Sequence, residues 1–416
     1  MGNLLGAPVT DKETHSGSTK EGIKYAVTSM QGWRVHMEDA HITEPMLYAV
    51  TPATKVKLEL PGHSIFAVFD GHGGSYAAFY AGRNFCRVLS QEPKFVQYAE
   101  AYINNNNSST SADNKKTEKQ LLDLLEGALI NAFCDLDNEI YLALKGQKVS
   151  AADEPYNPDH DHPKKEEEKS TSAATGDSAA ASVNPNAANN KKTSLEDEGD
   201  SGTTACVVVL TPEYIICANA GDSRSVLKTA TKVVPLSFDH KPDDESEERR
   251  IRAAGGYVAG GRVEGDLAVS RGLGDFRFKQ PSVVTQGSKA VVGAGEQKVS
   301  TIPDILVQKR NPEVDQYCII ACDGIWDVQT NEQACQMVSS IYEEGESDLG
   351  LLCEESVDIG LQLGSKDNMT ALVIQLNKNM AVAKGSGVQG RRQFRQVENS
   401  KTNTSNQSPT TATDVV

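Results

Sequence analysis

Residues 204–220 read TACVVVLTPEYIICANA, two apolar runs, Thr204 to Leu210 and Tyr214 to Ala220, separated only by Thr211-Pro212-Glu213. Short runs this rich in Val and Ile are strands rather than helices. So brief a connection joins them only as antiparallel neighbours, because a parallel crossover needs a dozen residues or more. The same signal recurs elsewhere. Ser64 to Phe69 is a buried strand that stops at Asp70-Gly71-His72-Gly73-Gly74, Tyr317 to Cys322 stops at Asp323-Gly324, and Thr370 to Leu376 reads as the last strand.

Helices are expected between these strands. Gly74 to Leu89 and Leu121 to Leu144 carry apolar residues at helical spacing. Pro242-Asp243-Asp244 is expected to open a further helix, with Pro in its first turn, that runs through Ile251 and stops at Gly255-Gly256. Antiparallel strands with flanking helices predict an α+β layered domain. Gly255-Gly256 and Gly260-Gly261 are read as hairpin turns, since no GK[ST] follows them as a phosphate loop requires.

Composition narrows the function. The 416 residues include 41 basic and 57 acidic ones, a net charge of −16, which argues against gripping nucleic-acid phosphates. No apolar run approaches the roughly 18 residues a membrane span needs. The eight cysteines are scattered without a CxxC pair, and the first residues lack the pattern of a secretory signal. A cytoplasmic or nuclear monomer is the expectation.

Three stretches are poor in large apolar side chains and are expected to stay disordered: about 104–120, about 145–200 and the tail 379–416. The folded domain is therefore placed at 21–378, interrupted by the two inserts, after an N-terminal segment 1–20. His160 and His162 in the acidic insert are read as solvated, as is the tail cluster Arg391-Arg392-Gln393-Phe394-Arg395. Gly2 follows Met1 and is a candidate acylation site, although Gly6 stands where the myristoylation pattern has Ser or Thr. Membrane contact is expected only if Gly2 is myristoylated.

The carboxylates carry the chemistry. Asp70 and Asp323 each follow an apolar strand and precede a glycine. Glu38-Asp39, Asp222 and Asp367 occupy comparable turn positions. Acids that converge must share cations, or they repel one another and take up protons. An oxygen donor set suits Mg²⁺ or Mn²⁺ rather than zinc. Carboxylates around two such ions form a site for activating water and clamping a phosphoryl group.

Eight segments, in order, resemble the PP2C (PPM) family of metal-dependent serine/threonine phosphatases: Arg34 to Ala40, Phe69 to Gly74, Ser201 to Ala205, Ala220 to Arg224, Asp239 to Pro242, Leu267 to Asp275, Ala321 to Asp327 and Asp367 to Thr370. The opening MGNLLGAPVTDKETHSG resembles the eukaryotic PP2C-alpha-like branch. The resemblance implies a central antiparallel β-sandwich flanked by helices on both faces. It implies that Asp70 bridges two metals, with Glu38 and the Gly71 carbonyl on one side, Asp323 and Asp367 on the other, and Asp39 orienting bound water. Asp222 and Asp327 match positions tied to a weaker third metal. Arg34 would grip the phosphate and His72 would protonate the leaving group, with a metal-bridging hydroxide attacking phosphorus and no phosphoenzyme intermediate.

The expected activity is thus hydrolysis of phosphoserine and phosphothreonine in phosphoprotein substrates. The alternatives are a catalytically inactive phosphoprotein-binding relative and a different two-metal hydrolase such as a nuclease. Cys322, although next to Asp323, is read as core, and Ser201, Thr203 and Thr204 as strand-edge polar residues. Segment 276–303 matches a flap beside the cleft.

Overall fold

The computed structural model describes residues 4–107, 115–147, 200–279, 293–380 and 382–405, with side chains through 397. Two antiparallel sheets lie face to face. One has six strands in the order Leu4–Ser18, Lys24–Arg34, Met369–Gln375, Asp315–Ala321, Arg224–Thr229 and Val233–Pro235. The other has five, in the order Asp304–Lys309, Tyr214–Ala220, Ala205–Leu210, Ser64–Phe69 and Ala40–Glu44. The hairpin read from residues 204–220 is antiparallel, with Ala220 opposite Ala205.

Strand alternation explains the layering. In Ser64–Phe69, Phe66 and Val68 point into the sandwich with Tyr25, Val27, Ile320 and Leu372. Ile65, Ala67 and Phe69 point the other way, against Phe85, Leu129 and Phe133. Those three belong to helices α1 (Tyr76–Gln91) and α3 (Glu118–Leu144), which pack together with α2 (Pro93–Asn106). In Asp315–Ala321 the alternate residues Tyr317, Ile319 and Ala321 meet Val338, Leu352 and Val357. These come from α6 (Asn331–Glu343) and α7 (Leu349–Gln362), α4 being Glu245–Ala253 and α5 the single turn Asp323–Trp326. Each sheet is buried on both faces, so its central strands are continuous apolar runs rather than alternating ones. Burying each large side chain there contributes roughly 1.5–3 kcal/mol.

Helix starts are locally encoded. Thr117 and Gln120 form a capping box at α3, as do Thr330 and Gln333 at α6. Pro93 opens α2, and Glu92 accepts from the Phe95 amide at 2.9 Å.

Several boundaries differ from expectation. The N-terminal segment is not separate from the domain, because Leu4–Ser18 pairs with Lys24–Arg34 as an edge strand. Its alternation is weak in the sequence, and β-bulges interrupt its register. The first low-complexity stretch is shorter than 104–120, since α2 runs to Asn106 and α3 starts at Glu118. The tail is not wholly unstructured. It carries α8 (Gly387–Ser405), held by buried Val388 and by Arg391 on Glu344, Arg392 on Glu354 and Arg395 on Glu355. Charge docks a helix that has little apolar surface.

Pro242 precedes α4, in a turn whose Lys241 amide donates to Asp244 Oδ2 at 3.0 Å, instead of standing inside the helix's first turn. Gly260-Gly261, both at positive φ, form the expected two-residue hairpin turn between Ala259 and Arg262. Gly255-Gly256 ends α4, as the helix reading expects, and does not form a hairpin turn; the amide of Gly256 donates to the Ile251 carbonyl at 2.9 Å. Residues 148–199, most of the acidic insert with His160 and His162, lie outside the described residues, as do Gly2 and 280–292 of the expected flap.

Candidate metal centre

One end of the sandwich collects the acids because strands of both sheets begin or finish there. Asp70 follows Ser64–Phe69, and Asp323 stands two residues past Asp315–Ala321. Asp222 lies in the turn that carries the chain from Tyr214–Ala220 in one sheet to Arg224–Thr229 in the other. Asp39 and Asp367 lead into Ala40–Glu44 and Met369–Gln375. The two strand-end loops touch: the Asp323 amide donates to Asp70 Oδ2 at 3.4 Å.

Asp70, Asp222 and Asp323 each present a carboxylate oxygen within 4.8 Å of the others. Asp39 and Asp70 form a second such group with the Sγ of Cys322. Burial pushes the Asp70 carboxyl well above its usual range, and Asp323, Asp39, Asp222 and Asp367 push it further. Asp323 is raised in the same way, first by burial and then by Asp222 and Asp367. Asp39, 4% exposed, is pushed up to about 7 by burial against the hydrogen bonds of Thr370 and Cys322. Its Oδ2 accepts from Thr370 Oγ1 at 2.6 Å, while among the described residues its buried Oδ1 has no hydrogen-bond partner. Mutually repelling, underpartnered carboxylates of this kind fit hard divalent cations.

Cys322 was read as core, and it is fully buried, yet it also borders the acids. Its sulfur faces the Asn368 carbonyl at 3.5 Å and the Thr370 amide at 3.1 Å. Burial, followed by the charges of Asp39, Asp70 and Asp323, drives its pKa up, which keeps it a thiol. An oxygen donor set remains the better match.

The surrounding residues hold this end rigid. Glu38 is fixed through its backbone amide, which donates to Asn368 Oδ1 at 2.9 Å. Asn368 Nδ2 in turn donates to the carbonyls of Gln31 and His36. Burial raises the Glu38 carboxyl, with Arg34 opposing. Gly71 packs so close to the Glu38 carbonyl that a Cβ would collide with it. Arg34 lies on Asp367 in an ion pair. Asp222, 3% exposed, is paired with Lys241 at 2.5 Å. Asp327 is exposed, one turn beyond Asp323, with its amide on the Asp323 carbonyl.

His72 Nε2 lies 2.9 Å from both carboxylate oxygens of Asp275. Burial alone would lower the imidazole pKa, but Asp275's charge and hydrogen bond outweigh it, and the net shift is upward. Asp275 was given no role from the sequence, nor were Asn368 and Lys241. Each sits inside a recognised segment, and for Asp275 the available signal is a lone acid ending the glycine-rich run Gly272-Leu273-Gly274. Ser201, Thr203 and Thr204 are buried rather than strand-edge. Thr204 Oγ1 accepts from the Asp70 amide at 3.2 Å, and Thr203 Oγ1 donates to the Asp70 carbonyl at 3.0 Å.

Comparison with known proteins identifies the family. A family model described as Protein phosphatase 2C matches residues 23–147 and 136–369. Protein phosphatase ppm-1.A of Caenorhabditis elegans is 33% identical over 90% of this chain, and the match spans 63% of that protein's length. Human Protein phosphatase 1A is 33% identical over 90% of this chain and 76% of its own. Among solved structures, a serine-threonine phosphatase 2C from Toxoplasma gondii superposes with a TM-score of 0.56 at 19% identity, covering 90% of this chain and 98% of that one. That likeness concerns the fold alone. Two sheets that converge their acidic strand ends, matched along nearly the whole described domain, place this chain in the protein phosphatase 2C family.

Proposed function

We propose that this chain is a protein phosphatase that hydrolyses phosphoserine and phosphothreonine in phosphoprotein substrates with the help of two Mg²⁺ or Mn²⁺ ions. The observation that carries the proposal is the meeting of Asp70, Asp222 and Asp323 at the shared end of the two sheets. Asp70 would be the shared ligand, with Glu38 and the Gly71 carbonyl on one side and Asp323 and Asp367 on the other. Asp39, Asp222 and Asp327 would complete the surroundings, Asp222 and Asp327 toward a weaker third ion. When bound, such ions supply an acidified water and neutralise phosphoryl charge.

The chain's own residues do the rest. Arg34, its side chain 41% exposed at the cleft mouth, presents a planar fork suited to two phosphate oxygens. His72 follows Gly71, which packs on the Glu38 backbone, and can deliver a proton to the departing side-chain oxygen. Asn368 and Thr204 hold the Glu38 and Asp70 backbones in place, so the donors need no rearrangement when substrate arrives.

Phosphate release from a phosphothreonine peptide tests the proposal. Activity should appear with millimolar Mn²⁺ or Mg²⁺ and vanish with chelator. A folded sample that releases no phosphate under any metal condition would shift the reading to a phosphoprotein-binding relative.

A further inference from the structure

His72 and Asp275 are brought together by a small three-stranded ladder separate from the two large sheets. Gly71–His72 pairs with one edge of Gly202–Thr203, and Leu273–Gly274 pairs with the other. His72, Gly202 and Gly274 consequently share one rung. Asp275 follows directly at φ +54°, a left-handed conformation uncommon for residues other than glycine.

Gly202 leaves room for this carboxylate, and Gly274 lets the chain pass close to Ser201. A Cβ on Gly202 would run into the Asp275 carboxylate, and one on Gly274 would run into the Ser201 carbonyl. Asp275 is 2% exposed, and its amide donates to Ser201 O at 3.2 Å. Both its side-chain oxygens lie 2.9 Å from one atom, His72 Nε2. Among the described residues no other side chain hydrogen-bonds that carboxylate. A buried acid held in an unfavourable backbone conformation, over space that Gly202 clears for it, is built to meet its partner.

We infer that Asp275 is the positioning residue for His72. It accepts the Nε2 proton, fixes the ring, and leaves Nδ1 as the nitrogen free to face substrate. The catalytic consequence rests on the phosphatase reading. As the water oxygen bonds to phosphorus, the ester P–O bond breaks and its electron pair goes to the serine or threonine oxygen. That oxygen takes the Nδ1 proton of the doubly protonated His72 imidazolium, which keeps its Nε2–H on Asp275, and a proton released by the water restores the imidazolium.

The test compares leaving groups in the full chain with Mn²⁺. Asp275→Asn should lower kcat on a phosphothreonine peptide by about 30-fold or more, within the range expected for losing proton transfer. On p-nitrophenyl phosphate, whose leaving group departs unprotonated, the loss should stay below about threefold. His72→Gln should show the same split, and the double variant should be no worse than His72→Gln alone. Equal losses on both substrates, or losses that multiply in the double variant, would overturn the inference.

Imidazole ¹⁵N spectra of the histidine-labelled chain give a readout independent of turnover. With the ring titrated to its neutral form, an Nε2–H tautomer at His72 that is lost in Asp275→Asn supports the assignment, whereas a neutral Nδ1–H tautomer in the unaltered chain overturns it. A chain that hydrolyses neither substrate would count against the phosphatase reading, and the tautomer would still decide the positioning role.

Discussion

Arg34 and Asp367 form an ion pair at the mouth of the carboxylate cluster, joining the end of the Lys24–Arg34 strand to the residue pair that precedes Met369–Gln375. The side chains are 41% and 27% exposed. A pair so open to solvent is worth about 0–1 kcal/mol, little enough for an arriving phosphate or cation to displace it. The charge of Asp367 raises the already high pKa of Arg34 despite partial burial, which opposes it, so the guanidinium stays charged throughout.

Arg34 and a cation therefore compete for the same carboxylate. Arg34→Ala should raise KM for a phosphothreonine peptide about tenfold or more through loss of the planar fork. It should also reach half-maximal activity at equal or lower Mn²⁺, because a competitor for Asp367 is gone. Kinetics across a Mn²⁺ titration check both, and a higher Mn²⁺ requirement would contradict the competition.

Asp70 should make the metal-free chain less stable than it would be without that charge. Its folded pKa lies well above the unfolded one, through burial and then its acidic neighbours, so the ionised form is penalised and the penalty grows as pH rises. Metal-free stability should accordingly gain from Asp70→Asn, by about 1–3 kcal/mol near pH 8, with a smaller gain at acid pH. Mn²⁺ should stabilise the unaltered chain and leave the variant almost unmoved. Thermal melts with and without chelator at pH 6 and pH 8 provide the comparison.

His63 titrates in the opposite sense. It is buried between the Pro61 carbonyl and Tyr98, whose hydroxyl lies 2.7 Å from Nε2. Burial lowers its pKa to about 4 from 6.5. The unfolded chain thus binds a proton first, and the stability His63 provides is complete above pH 6.5 and lost progressively toward pH 4. The full effect is about 3 kcal/mol. Denaturant melts of the unaltered chain should lose more stability over this interval than those of His63→Gln; parallel curves would refute the assignment.

Helix α8 depends on charge. Glu355 is fully buried and is paired with Arg395, so removing the arginine strands a buried carboxylate. Breaking such a pair costs about 3 kcal/mol. Arg395→Ala should detach α8, seen as faster amide exchange over residues 387–397, while Arg392→Ala, with a more exposed partner, should do much less.

The central strands and the acids were legible in the sequence because both have short-range signatures. Ser64–Phe69 is a continuous apolar run with an abrupt polar stop, and the Asp-Gly that ends it appears again at Asp323-Gly324. What could not be read depends on distant partners. Leu4–Ser18 becomes a strand by pairing with its neighbour, and α8 forms against acids on α7 and just past the end of α6. Asp275 is far from His72 in sequence, and the three-stranded ladder that unites them consists of two-residue strands without periodicity.

Electron paramagnetic resonance of the Mn²⁺-loaded chain tests the shared metal centre most directly. Two ions bridged by Asp70 should lie about 3.5–4 Å apart and give a spin-coupled spectrum. That spectrum should build in step with phosphatase activity and disappear in Asp70→Asn. An isolated six-line Mn²⁺ signal at every loading, or a coupled signal that survives Asp70→Asn, would contradict a dinuclear centre built on this aspartate.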